Sequence, residues 1–439
     1  MIWTCLGHAM WLVEVAGVRI VFDPLLGEDY HEGVFAVSPR RRIDLDVLQP
    51  DLVVVTHRHP DHFDPASLAA IRRSAVRPPI VVTPDLFIAS MAERLGFDTC
   101  VLRTWEPLPL DGATLLPTPS FCPVVEWGML VVTPEGTAWN QVDTELESPA
   151  RVREVLARAI GSRAPDLAIV RWQPLQQVAA MLGERGGFPR TGYRREVEIA
   201  AATGARAVIP GASGSRYAGP HWMNHHAYPV PQARFLRDLR ARCPGIATWP
   251  ARVGGRWRVG GGVEELAAAE WVWPENLEEP LFLPWEIPPL VDTEPADRGA
   301  IAAWIGADLL PGLAAAWPGM ARSTPVRLSL RVVHQDGPED LTFEVGPDGA
   351  RVVPGFDADY DAAVGITASV LERVVTGRGH WGRALLGGHL RATVRGCEGG
   401  ADGVADSRIA AIFLYYGLGY EAAFERWVRR EVDGLVSAG

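Results

Sequence analysis

Three histidines and one aspartate fall within six residues, in the run His57-Arg58-His59-Pro60-Asp61-His62. Imidazole and carboxylate are ligands for borderline divalent cations such as zinc, iron and manganese. Alternate residues of an extended segment project to one side, so His57 and His59 are placed to grip one ion. Pro60 then turns the chain, which lets Asp61 and His62 face a second ion. The run follows Leu52-Val53-Val54-Val55, a β-branched stretch that reads as a strand buried on both faces. A loop at the end of such a strand is where α/β proteins keep their sites.

The rest of the composition narrows the chemistry. The chain has 439 residues and a net charge of −11, and none of its 42 basic residues is lysine. Without lysine there is no Schiff-base or phosphate-loop chemistry, which excludes ordinary pyridoxal-phosphate enzymes, P-loop NTPases and kinases. The net acidity argues against nucleic acid as the main partner. Cys5, Cys100, Cys122, Cys243 and Cys397 are scattered with no CxxC pair, so neither a zinc ribbon nor an iron–sulfur cluster is expected. No apolar run reaches the ~18 residues of a membrane span. The first residues lack a basic start and an apolar core, so a cytoplasmic location is expected.

The elements that must position the motif read as hairpins alternating with βα units. Strands are expected at 10–15, 18–22, 52–55, 80–82, 128–133, 138–142, 166–170 and 207–209. Helices are expected at 66–73, 85–95, 149–160 and 194–203. Residues 1–253 form the first domain on this reading. Residues 254–324, rich in Trp, Pro and Gly, read as a linker or wrapping segment. Residues 325–439 alternate into a smaller α+β domain ending in helix.

The HxHxDH run resembles that of the metallo-β-lactamase superfamily. Leu6-Gly7-His8, a hairpin and then Phe22-Asp23-Pro24 resemble the branch holding ascorbate-6-phosphate lactonase-like proteins and CMP-N-acetylneuraminate hydroxylase. The resemblance covers residues ~1–245. It implies an α/β fold, the αββα sandwich, with two divalent metal ions between its sheets. It also implies three further ligands: a histidine, a bridging aspartate and a late histidine. No histidine occurs between His62 and His221, so Glu126 is expected at the first position, with Cys122 as the alternative. Asp143 is expected to bridge. The late position falls to His225, with His221 and His226 close behind. Asp61, Asp143 and His225 are the residues expected to do catalytic work. His8 reads as an outer-sphere or structural group, and His31, His334, His380 and His389 as unrelated to the chemistry.

A carboxylate in place of histidine hardens the site, which favours iron while leaving zinc or manganese open. The first expectation is therefore a di-iron oxygenase fed electrons by a separate reductase. The second is a zinc hydrolase of an ester, lactone, phosphodiester or sulfate. The third, a binding protein with a degenerate site, conflicts with the intact HxHxDH run. Arg40, Arg41, Arg42, Arg190 and Arg194, in or beside the expected specificity loops 27–42 and 183–193, hint at an anionic small-molecule substrate. Residues 325–400 resemble the sterol-carrier-protein-2 fold, which implies either a tunnel for an apolar chain or a module that packs a homodimer.

Overall fold

The computed structural model describes residues 1–438 apart from 123, 162, 175, 178–180, 184–186, 213, 220, 276–282, 285, 321–323 and 395–418. The expectations for Cys397 and for the helical stretch directly after residue 394 fall outside the described residues.

Two sheets stack face to face. The first has eight strands, in the order Val263–Leu266, Arg256–Val259, Ile2–Gly7, Met10–Val15, Val18–Phe22, Leu52–Val54, Ile80–Thr83 and Asp98–Val101. The second has seven, running from Leu108–Leu110 through Trp127–Val132, Thr137–Asn140 and Leu167–Val170 to Ala207–Pro210 and Ala247–Thr248. Trp3, Trp11, Phe22, Trp127, Ile169 and Trp257 close the space between them. Helices Pro65–Ser74 and Leu86–Arg94 cover the outside of the first sheet. Helices Pro149–Ile160, Arg190–Ala202 and Gln232–Arg242 cover the outside of the second. This is the αββα layering the resemblance implied.

Local chemistry explains the helix starts. Asp64, Asp85 and Ser148 each accept from a backbone N–H of the following first turn, satisfying donors that a helix cannot pair itself. The three central strands of the first sheet, Val18–Phe22, Leu52–Val54 and Ile80–Thr83, pair in parallel, so their carboxyl ends share one edge. Thr137–Asn140 and Leu167–Val170 also run parallel. The loops holding His57–His62 and Asp143 leave from such strand ends.

Two domain boundaries differ from the sequence reading. Residues 254–266 are not linker: Trp257 pairs with Trp3 and Arg258 with Ile2, and a hairpin adds two strands to the first sheet. The glycines of residues 260–262 form its turn rather than a flexible joint. The run Arg298–Ala316 is helical, and by length and composition it is apolar enough to cross a membrane. Its Ile301, Trp304, Leu309 and Leu313 pack into the second core.

The second domain is a five-stranded sheet ordered Gly349–Pro354, Gly337–Gly346, Val326–His334, Ala362–Thr367 and Leu390–Val394, with helices Ala368–Val375 and Trp381–Leu386. The final helix, Tyr420–Ala438, crosses back. Its Phe424, Val428 and Val432 join the core formed by Val53, Ile71, Ile88 and Met91 of the first domain. Phe424→Ala is therefore expected to cost about 3 kcal/mol of first-domain stability, the low end for emptying a buried aromatic site. Urea unfolding followed by first-domain tryptophan fluorescence would check this, and an unchanged midpoint would contradict the cross-domain packing.

Candidate metal centre

The motif loop is anchored beneath by Asp23, which ends the strand Val18–Phe22 and is fully buried. Asp23 accepts from Thr56 N at 2.8 Å and from Thr56 Oγ1 at 2.9 Å. It also accepts from His62 Nδ1 at 3.0 Å. His57 Nδ1 donates to the same Thr56 hydroxyl at 3.0 Å. Each imidazole thus spends Nδ1 on the protein and keeps Nε2 for the centre, the usual outer-sphere arrangement behind metal-bound histidine.

The free nitrogens converge. His57 Nε2 lies 2.8 Å from His59 Nδ1. Asp143 Oδ2 lies 3.2 Å from His62 Nε2 and 4.0 Å from His57 Nε2. Asp61 Oδ2 lies 3.5 Å from His62 Nε2. Donor atoms of His57, His62 and Asp143 all fall within 4.8 Å of one another, as do those of His8, Asp61 and His62. His62 Nε2 is buried and makes no hydrogen bond. A buried ring nitrogen without a hydrogen bond, set between two carboxylates, fits a cation, so the donor set suits a divalent metal.

The electrostatics agree. Burial disfavours charge on His62, but Asp61, Asp143 and Asp23 together outweigh it and raise its pKa well above the ordinary value. Burial, reinforced by His62 and His59, pushes His57 well below it. Burial also opposes the charge on Asp61, yet His62 and His8 hold that carboxyl well below the usual range. The cluster therefore attracts positive charge.

Backbone strain is concentrated here. Val142 sits at φ 53°, His8 at 53° and Asp23 at 43°. Left-handed conformations cost a β-branched residue on the order of 1–3 kcal/mol and survive only where the surroundings impose them. Val142 directly precedes Asp143, so the strain lies in the segment that aims the carboxylate. Gly214, at φ 122°, has no room for a Cβ, which would meet Ser38 O at 3.0 Å and His8 N at 3.2 Å.

His8 lies beside the cluster, bonded to Asp61. Tyr30 Oη donates to Ser215 Oγ at 2.5 Å, and Ser215 donates to His8 Nδ1 at 3.1 Å. That leaves His8 Nε2 to donate to Asp61 Oδ2 at 2.9 Å. The chain Tyr30–Ser215–His8–Asp61 fixes one oxygen of Asp61.

A cavity of about 530 Å³ opens over the cluster, and Glu126, Asp143, Asp61 and His59 all face it. Glu126 Oε1 accepts from Ser120 Oγ and from Cys122 Sγ at 3.1 Å. Oε2 makes no bond among the described residues. Burial, then the Glu126 charge, pushes the Cys122 thiol up, which disfavours the thiolate a metal would need.

His225 and His226 do not line the cavity, and His226 Nε2 bonds Leu283 O at 3.1 Å. Of His221 only the backbone is described, in the short helical turn His221–Met223. The loop after strand Ala207–Pro210 instead lines the cavity with Ala212 and Gly214. The arginines are engaged elsewhere. Arg41 is buried against Leu6 O at 2.7 Å, Arg40 pairs with Glu28 and Arg194 with Glu198. Arg42 lies over Trp273, and neither Arg42 nor Arg190 faces the cavity. Sequence reasoning missed Asp23, His31, Glu145, Arg171 and Ser215. Arg171 lines the cavity while bridging Glu145 and Glu196 at 3.0 Å each. The one available signal was Asp23, a carboxylate closing a buried strand.

Asp23→Asn keeps the shape but removes an acceptor from the net around Thr56 and His62. A tenfold to hundredfold loss of metal affinity is expected, as for other outer-sphere changes. Competitive metal titration would measure it, and unchanged affinity would confine Asp23 to a folding role.

Residues 3–120 match the family model described as a beta-lactamase superfamily domain. A UPF0173 metal-dependent hydrolase of Pyrobaculum aerophilum is 31% identical over 147 residues, 32% of this chain and 60% of that protein. A protein of Mycolicibacterium smegmatis named as a Rieske 2Fe-2S iron-sulfur protein is 34% identical over 98 residues, 21% of this chain and 18% of its own length. The chain thus spans about 60% and 18% of these two relatives' lengths. CmlA, a diiron beta-hydroxylase from Streptomyces venezuelae, aligns with a TM-score of 0.41 at 19% identity, over 60% of this chain and 54% of that one. Together with the αββα layering, the family match identifies the N-terminal part of this chain as a metallo-β-lactamase-fold domain.

Proposed function

We propose that the protein is a metal-dependent enzyme whose first domain holds two irons and oxygenates a small substrate, with electrons from a separate reductase. The observation that carries this reading is the donor set. Asp61, Asp143 and Glu126 line one cavity with His59; His57 and His62 lie against Asp143, and among the described side chains neither His225 nor His226 lines it. Three carboxylates to three histidines make a harder field than an all-imidazole site, which favours iron over zinc. The relative named as a Rieske protein adds support, because its matched segment belongs to a chain named for an electron-transfer cluster.

In this reading His57, His59, Asp61, His62, Glu126 and Asp143 would hold the metal. Bound iron would supply the reduction of dioxygen, which zinc cannot. The chain's own groups do the rest. Asp23 keeps the His62 proton on Nδ1. His8 steadies Asp61. The Tyr30–Ser215–His8 path holds Asp61 Oδ2 in place by hydrogen bonds.

The second reading is a zinc hydrolase, favoured by the relative named as a metal-dependent hydrolase. Metal analysis of protein purified without added metal separates the two. About two irons per chain, with dioxygen consumed on reduction, is the expected result. Two zincs, with ester turnover indifferent to dioxygen, would reverse the ranking.

A further inference from the structure

The cavity over the metal centre is not built by the first domain alone. Leu386 and Tyr420, from the second domain and the start of the final helix, line it together with Asp61 and Asp143. Leu386 packs on the wall formed by Tyr30, Phe35 and Tyr217. Trp172 and Tyr228 complete the aromatic lining.

The second domain is held in that place by a built junction. Glu32, whose side chain is 8% exposed, pairs with Arg373 at 3.1 Å and accepts from His380 N at 2.9 Å. The His31 and His380 rings lie 5.2 Å apart, and His380 packs on Trp427 at 4.5 Å. Gly382 lets helix Trp381–Leu386 come this close, since a Cβ there would meet His31 Nδ1 at 2.4 Å. On the far side, Glu425 of the final helix pairs at 3.2 Å with Arg58, the residue between the two motif histidines. Arg58 also pairs with the buried Asp85.

We propose that the second domain is a wall of the catalytic cavity, with Leu386 and Tyr420 setting which substrate tails are accepted. The substrate class is a small molecule with a polar, metal-ligating head and an aryl or alkyl tail. The head meets the His/Asp cluster, and the tail lies against Leu386, Tyr420, Phe35 and Trp172. A cavity of this size suits a single small ligand, and such sites are mostly apolar with few polar groups fixing orientation. The helix carrying Leu386 is fixed by buried contacts, so it discriminates by shape rather than yielding. This inference rests on the metal-centre reading above.

Hydroxamates of different tail are the probe, because their heads chelate divalent metal alike. Calorimetry on the full-length, cobalt(II)-loaded protein would compare acetohydroxamate with benzohydroxamate. Benzohydroxamate is expected to bind at least tenfold more tightly. Leu386→Trp, which fills the tail region, should abolish that preference while metal content stays the same. Leu386→Ala and Tyr420→Ala, which enlarge it, should shift the preference to a longer tail such as octanohydroxamate. If acetohydroxamate binds but all three variants keep the wild-type preference, the second domain is no part of the site and the inference falls alone. If neither hydroxamate binds, or the protein takes up no cobalt, the metal-centre reading falls with it.

Discussion

Asp143→Ala is expected to lower bound metal from two ions per chain to one or none and to abolish turnover. Asp143 Oδ2 stands between the free nitrogens of His62 and His57, so its loss takes an oxygen from both halves of the centre. The effect should exceed the ~10–100-fold that outer-sphere changes cost in metal affinity. Folding should not suffer, because the Asp143 carboxylate makes its described contacts only within the cluster. Only the melting point of the metal-free protein should fall, because His62 loses one of the carboxylates that raise its pKa. Metal analysis and thermal melting of the metal-free protein measure both effects. Two retained metals with full turnover would remove Asp143 from the bridging position.

Glu126→His should change the identity of the metal. Glu126 is held through Oε1 by Ser120 and Cys122, which leaves Oε2 for an ion. A histidine there converts three carboxylates and three imidazoles into two and four, and softer nitrogen donors favour zinc. The expected outcome is zinc retention raised about tenfold or more and dioxygen consumption lost, because zinc has no accessible redox state. A variant that still purifies with iron and still consumes dioxygen would show that Glu126 is not a ligand. The case for iron would then lose its main support.

What could be read from the sequence was what is local in it. His57, His59, Asp61 and His62 share one loop, so their spacing alone pointed to a cluster. The strands beneath them were legible because each is a short β-branched run. His8 was harder to place, because its partner Asp61 is 53 residues away and nothing in Leu6-Gly7-His8 points there. The late histidines were no easier to place, for the same reason. His225 and His226 are dense in sequence, but the fold turns His226 to Leu283 and brings Ala212 and Gly214 to the cavity instead. Residues 256–259 were misread on composition. Arg256-Trp257-Arg258-Val259 alternates exposed and buried as an antiparallel strand should, but the surrounding glycines masked it. The Glu32–Arg373 pair spans 341 residues, a separation that no local pattern carries.

That last separation has a consequence in time. The first sheet is complete once Leu266 has been made, yet the helix that clamps Arg58 begins only at Tyr420. At ribosomal speeds of ~5–20 residues per second, the interval is about 8–30 s. For that period the nascent chain carries the His57–His62 loop without Glu425 against Arg58 and without the Phe424 seat on the outer helices. Nascent chains arrested before residue 420 should therefore capture metal more weakly than the released protein. Equal capture by both would mean that the clamp arrives too late to matter.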